Sequence, residues 1–333
     1  MSIRLSLAEI NRLSLEALLG SGADRRNAEP VARSIEDAEA EGIPNVGLSY
    51  LTHYCEDLRR GRINGKAIQN VEQITSAAIR VDGDYGFAHA AFIAAESAFL
   101  ASVENAGFAC LAIRHSYMAG VVGWFVDRLA RRGLVALAFG NSPSMVAPFG
   151  GKRRFFGTNP MAFAAPRASA PPLVVDLSTS VTARVNVVQA AAAGGPIPEG
   201  WALDEDGRPT TDPARALAGT VAPLGGYKGT CLAIMVDVLA AGLTGSNWAH
   251  EAEVIRADPG GPPGVGQMLL AFSPDRLGAP ALAGRLEKML AAMCADEGVR
   301  IPGDRRHAHR LQAERDGIVV ASSLHQKLVN YAG

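Results

Sequence analysis

Apolar residues recur at helical spacing near the start of the chain. Leu7, Ile10, Leu13 and Leu18 follow a Ser6–Glu9 capping-box pattern, and Gly20 supplies a stop. A second helix is predicted over 24–41, with Ala28, Val31, Ile35 and Ala38 on one face. A third is predicted over 49–60, with Leu51, Tyr54, Cys55 and Leu58 inward. Gly42-Ile43-Pro44-Asn45 breaks the chain between them. From about residue 71, short apolar runs alternate with helical patterns. Strands are predicted at Ser76–Val81, Phe108–Ile113, Leu134–Phe139, Met161–Ala165, Leu173–Val175 and 267–272. Helices are predicted at 87–105, 119–131, 182–192, 278–296 and 304–316. Residues 194–228, rich in Gly, Pro and Asp, read mostly as loop. Residues 229–243 read as a buried helix, because Asp237 sits mid-run and no basic flank orients a membrane span.

This alternation predicts an α/β fold, with helices packed on a sheet. The chain starts and ends helical. A smaller helical domain is therefore expected from both termini (1–75 with 297–333), beside a larger α/β domain (76–296). The length, 333 residues, suits about two domains.

Composition removes several function classes. Hydrophobic residues are 48% and charged residues 20%, enough for an ordinary core. With 32 Lys and Arg against 33 Asp and Glu, the net charge of −1 argues against a nucleic-acid or polybasic membrane partner. The polar-interrupted first twenty residues lack a secretory pattern, so a cytoplasmic location is expected. Cys55, Cys110, Cys231 and Cys294 lie far apart, with no CxxC, so neither a zinc nor a disulfide framework is expected. His307 and His309 are two apart, there is no HExxH, and no metal is expected. GxSxG, GxGxxG after a strand, and the P-loop are all missing. Gly260–Gly266 reads as a turn.

Three apolar strands end in polar clusters: Arg114, His115 and Ser116; Gly140, Asn141, Ser142 and Ser144; Asp176, Ser178, Thr179 and Ser180. Ligands bind outside the carboxyl ends of strands in open α/β sheets, so together these clusters point to a polar ligand site. Gly225-Gly226-Tyr227-Lys228-Gly229 opens the apolar helix, and Lys228 there can face an anion.

At this point the chain resembles the malate/L-lactate dehydrogenase family, a non-Rossmann group, from about residue 3 to 325. Val146–Pro166, Val175–Arg184, Ile197–Pro213 and Leu224–Gly229 carry the resemblance. It implies a nicotinamide cofactor in a distinctive mixed α/β domain, a homodimer, and reduction of a 2-oxo acid or a cyclic 2-imino acid. The family's cofactor positions match Ser116, Asn141, Ser142, Gly157, Thr158, Asn159, Asp176, Ser178, Thr179, Ser180 and Lys228, with Arg305 or Arg306 as the C-terminal basic pair. NAD and NADP are both compatible; the arginines favour NADPH.

The catalytic positions depart from the family. In Asn45-Val46-Gly47-Leu48-Ser49-Tyr50, Val46 stands where the family has His and Tyr50 where it has Arg. Met118 stands at a second family His. Tyr54 matches a family tyrosine. Hydride reduction of a ketone builds an alkoxide that needs an acid, which Val46 and Met118 cannot supply. A protonated iminium gives a neutral amine directly. The expectation is therefore an NAD(P)H-dependent oxidoreductase favouring C=N, in a pocket lined by Asn45, Val46, Met118 and Trp124. Tyr50, Tyr54, His115 and Asp176 remain for proton or orientation work. The alternatives are a 2-oxo/2-hydroxy acid dehydrogenase and a non-catalytic nicotinamide-binding member.

Overall fold

Each run of periodic apolar residues forms an element in the computed structural model, which describes residues 1–253 and 260–333. β1 (Ser2–Leu5) precedes α1 (Leu7–Gly20), α2 (Arg25–Ala40) and α3 (Leu48–Arg59). β2 (Asn70–Thr75), β3 (Ala78–Asp82), α4 (Ala88–Ala106) and β4 (Phe108–Ser116) follow. Next come α5 (Gly123–Ala130), β5 (Val135–Gly140), β6 (Met161–Ala165), β7 (Leu173–Leu177) and α6 (Arg184–Ala193). The stretch 194–228, expected as loop, folds into β8 (Ala202–Leu203), β9 (Pro209–Thr210), α7 (Pro213–Ala218) and β10 (Thr220–Val221). The remainder is α8 (Tyr227–Asp237), β11 (Val265–Phe272), α9 (Leu282–Met293), α10 (Asp304–Asp316), β12 (Ile318–Ala321) and α11 (Ser322–Ala332).

Among the described residues the main sheet has seven strands, in the order β2-β3-β4-β11-β5-β6-β7. Its pairs are antiparallel except β3 with β4, which α4 connects as a crossover. Phe92, Phe99 and Val103 of α4 and Phe125, Val126 and Leu129 of α5 are buried in one core with Leu111 of β4 and Leu269 of β11. β11 arrives late in the chain yet lies at the centre, with Leu269 opposite both Leu111 and Ala138. A bulge between Val265 and Gln267 bends its start. Val265 and Gly266, expected in a turn, thus belong to the sheet.

The second core is helical. Ile10, Leu18, Ile35, Leu51, Tyr54 and Leu328 pack α1, α2, α3 and α11 together. Ser6 caps α1 as the pattern predicts, with Glu9 reaching back to the Ser6 amide. β1 pairs antiparallel with β12, Ser2 opposite Ala321. This pairing is invisible to local periodicity, because it joins segments more than 300 residues apart.

α8 corrects one expectation. Its inner side is buried at Ala233 and Val236, but Tyr227, Ile234 and Met235 are exposed, as is Val238 in the π turn (Val238–Gly242) that extends it. An all-round apolar helix reads as buried, and here one apolar face lies bare.

Gly266 is dictated by packing, since a Cβ there would run into the Ala240 carbonyl oxygen. Gly266→Ala is expected to cost about 2 kcal/mol or more of unfolding free energy, read from urea denaturation.

Candidate active site

Four segments build the site. The first is the turn before α3. Pro44–Val46 form a short 3-10 turn, and Gly47 starts the helix without a side-chain cap. Glu39 of α2 fills that role: its carboxylate accepts the Leu48 N–H at 2.6 Å. Burial pushes the Glu39 carboxyl above its ordinary range, and the Leu48 N–H pulls it back. A Cβ at Gly47 would collide with that carboxylate, so a larger residue there would displace Glu39 from the Leu48 N–H.

α3 then projects two tyrosines one turn apart. Tyr50 and Tyr54 meet edge to face at 5.0 Å, and Tyr54 also meets Phe87 at 5.4 Å and Tyr117 at 5.7 Å. Tyr117 donates to Asp57 at 2.6 Å. Met118 is buried in the same cluster. Burial pushes the Tyr54 phenol well up, so it stays protonated and acts as a neutral hydrogen-bond donor or acceptor.

The second segment is the 116–123 loop. A Cβ at Gly120, whose φ is +63°, would stand 3.2 Å from the Tyr54 hydroxyl and 3.9 Å from the His89 ring. His89, in the first turn of α4, is fully buried, stacks on Phe125 at 5.2 Å and meets Trp124 edge on at 5.2 Å. Among the described residues neither ring nitrogen has a hydrogen-bond partner, and burial pulls its pKa down to about 3, so it is neutral.

The third and fourth segments interlock. Asn141 at the end of β5 accepts the Gly266 N–H at 2.9 Å and donates to the Asn247 carbonyl at 2.9 Å. Ser142 Oγ accepts the Thr158 N–H at 3.2 Å. A Cβ at Gly157 would run into Ser142. Asn159, at φ +38°, donates to the Ala233 carbonyl at 3.0 Å. The Thr158 carbonyl accepts both the N–H and the hydroxyl of Thr179, at 2.9 and 3.0 Å. Ser178 bonds Ser180 at 2.7 Å, and Ser180 Oγ donates to the Thr182 carbonyl at 2.8 Å. These hydroxyls hold the loops in shape around the ends of β5, β6 and β7.

Asn45 joins the first segment to the last. Gln189 donates to Asn45 at 2.9 Å, Asn45 donates to Asn186 at 3.2 Å, and Asn186 donates to Thr182 Oγ1 at 2.9 Å.

A cavity of about 480 Å³ opens beside these loops, between α2, α5 and α10. Arg306 of α10 donates to Asp176 at the end of β7, at 3.2 Å. A Cβ at Gly123 would stand 2.9 Å from Asp176 Oδ2. Trp124 donates to Asp37 at 2.9 Å. Arg310 donates to Asp37 at 2.7 Å and to Glu41 at 3.0 Å. Among the described residues, six arginines and four carboxylates line this cavity.

The sequence candidates thus separate into groups. Tyr50, Tyr54 and Met118 share one cluster, with Asn45 and Val46 on the turn beside it. Trp124 lies instead with Asp176 and Arg306. Ser116 is spent on internal bonds to Gln267 at 2.8 Å and the Val265 carbonyl at 3.2 Å. His115 does not approach Met118's cluster: it bonds Asp82 at 3.1 Å and stacks on Tyr85 at 5.3 Å. β4 runs through Ser116, beyond the expected end at Ile113, and carries His115 with it. Lys228 and Arg305 are exposed. His89, Asn186 and Gln189 escaped the sequence reading. A histidine inside the Ala-rich 87–105 run was the available signal for the first; nothing local marks the other two.

His89 makes stability depend on pH. The unfolded imidazole titrates near 6.5 and the folded one near 3, so between these values the unfolded state binds more protons. Stability is full above the upper value and is lost as pH falls toward the lower one. His89→Phe is expected to reduce the loss of unfolding free energy between about pH 7 and about pH 4.5, measured by denaturant titration at each pH.

Comparison with known proteins places the chain. The malate/L-lactate dehydrogenase family model matches residues 5–329. The (2R)-3-sulfolactate dehydrogenase (NADP(+)) of Chromohalobacter salexigens is 46% identical over 310 residues, 93% of this chain and 92% of that one. The Δ1-pyrroline-2-carboxylate reductase of Ancylobacter novellus is 36% identical over 329 residues, covering 98% and 96%. The crystal structure of Δ1-piperideine-2-carboxylate reductase from Pseudomonas syringae superposes with a TM-score of 0.95 at 35% identity, covering 99% of each chain. With a matching family model across nearly its full length and a fold shared with a solved Δ1-piperideine-2-carboxylate reductase, the chain belongs to the malate/L-lactate dehydrogenase family.

Proposed function

We propose that this chain is an NAD(P)H-dependent oxidoreductase, preferring NADPH, that reduces a small cyclic 2-imino acid. The observation that carries the reading is the uncharged substrate wall: Val46, Tyr50, Tyr54 and Met118 offer no imidazole and no guanidinium. A bound dihydronicotinamide supplies a hydride; an iminium carbon accepts it without needing a protein acid. Tyr54, held protonated by burial, offers a neutral hydrogen bond at the Gly120 turn. The arginine-rich cavity suits a phosphate-bearing cofactor. Arg306, Arg33 and Arg128 line it with Val121, Trp124 and Val174 as apolar surface, and Gly123 leaves room beside Asp176. Asp176 adjoins it through Gly123 and Arg306, and we assign Ser178, Thr179, Ser180, Asn141 and Asn159 to the loops that would receive the rest of the cofactor. The cofactor would thus lie where the α/β part (76–296) meets the helical part (1–75 with 297–333), which also carries the substrate-side residues of α3.

A second reading, reduction of a 2-oxo acid, draws on the 46% identical relative being named a sulfolactate dehydrogenase. The test is turnover of Δ1-piperideine-2-carboxylate beside pyruvate and oxaloacetate, with NADPH and NADH. Imine reduction at least about tenfold above the oxo acids in kcat/KM supports the first reading. Robust oxo-acid reduction with no imine activity rejects it, and cofactor binding without turnover of any substrate points to a non-catalytic member. Arg306→Ala is expected to weaken NADPH binding about tenfold, roughly 1.4 kcal/mol, by fluorescence titration.

The reading includes a homodimer in the cytoplasm. The bare apolar face of Tyr227, Ile234, Met235 and Val238 suits a second copy, and four free cysteines suit a reducing compartment. Light scattering is expected to give a dimer mass, and Ile234→Glu with Met235→Glu to shift it to the monomer.

A further inference from the structure

We propose that the Asn45 carboxamide, held in place by Asn186 and Gln189, selects substrates that pair an N–H with a neighbouring carboxylate. This rests on the oxidoreductase reading above and names what its substrate side recognises.

Asn186 and Gln189 are three residues apart on α6, so they share one face of that helix. Between them they hold Asn45 from both sides, and Asn186 anchors the set to Thr182. Thr182 in turn accepts from Ser180 through its carbonyl, so the amides are tied to the loop bonded to Thr158. Asn45 and Asn186 are half-buried and Gln189 is exposed, so a small ligand can reach the set.

A carboxamide has two lone pairs on oxygen and two N–H bonds. Asn45 spends one of each on its neighbours. That remains true if every amide in the chain is turned over, since the donors and acceptors then simply exchange direction along it. One acceptor and one donor remain on the same uncharged carboxamide.

A protonated cyclic 2-imino acid presents the complementary pair. Its iminium N–H faces the carboxamide oxygen, and a carboxylate oxygen faces the carboxamide N–H. A 2-oxo acid presents two acceptors to the same group, so one of them meets the Asn45 oxygen without a proton between. A site built around an N–H rejects the analogue lacking it more strongly than a shape difference would, because its polar group is left unpaired. No titratable group of the protein takes part, so on the protein's side the selection is set by hydrogen-bond direction.

The experiment compares two planar rings of nearly equal size, pyrrole-2-carboxylate, which carries an N–H, and furan-2-carboxylate, which carries an oxygen there. Binding of each to the full-length protein saturated with NADP+ is measured by calorimetry. The parent protein is expected to bind the pyrrole at least about tenfold more tightly. Asn45→Leu and Asn186→Leu should bring the ratio to within about twofold. Gln189→Leu, at an exposed position that tolerates change, should narrow it while leaving the melting temperature unaltered, which keeps the test open if the other variants fail to fold. Equal binding by the parent, a ratio unmoved in all variants that fold, or failure of both rings to bind would overturn the proposal. Imine turnover with no ring discrimination sinks this inference alone, whereas absence of any cofactor binding sinks the oxidoreductase reading along with it.

Discussion

The Asn141 carboxamide is the bond on which the α/β half depends. It sits where β5 ends, takes the Gly266 N–H at the bulge of β11, and gives its own N–H to the Asn247 carbonyl. β11 lies between β4 and β5, so this one side chain joins the centre of the sheet to the loops that leave it. Its polar atoms are buried and satisfied, and in a low-dielectric interior such bonds have one good geometry. The Ser142–Thr158 and Thr158–Thr179 contacts follow from that placement. The Gly157 backbone then passes where no side chain fits.

The two halves of the site differ in electrical character. The cavity between α2, α5 and α10 holds guanidinium and carboxylate groups in a shared network, with Arg310 between Asp37 and Glu41 and Arg306 beside Asp176. On the side proposed for the substrate, Tyr54, Met118 and neutral His89 are buried, Val46 sits on the turn before α3, and the Asn45 amide set supplies polar groups. Charge supplies attraction for a phosphate-bearing molecule; neutral donors and acceptors supply direction. Two carboxyl groups are buried on that side: Asp57, which accepts the Tyr117 hydroxyl, and Glu39, whose burial is partly offset by the Leu48 N–H at the start of α3.

Much of the fold was legible because helices α1 to α5 and strands β3 to β7 carry strong local periodicity. β1, β12 and the small β8–β9–β10 sheet were not, since each pairing is short and lies between segments without apolar alternation. The face of α8 left bare could not be separated from a buried one by composition. In the site, motif matching placed the strand-end residues but could not say which way they point. Ser116 turns into the sheet, and Trp124 joins the charged cavity rather than the Val46 turn. His89, Asn186 and Gln189 acquire meaning only from contacts with residues far along the chain, such as Gly120 and Asn45.

The joining of β1 to β12, with α11 laid against α1, has a consequence for biosynthesis. β1 finds its strand partner only after residue 321 has been made. At roughly 5–20 residues per second, the side of α1 that α11 covers waits tens of seconds for its partner, while α2 and α3 can already pack on the rest. The helical half therefore completes its packing late in synthesis, and loss of α11 would leave that side of α1 bare.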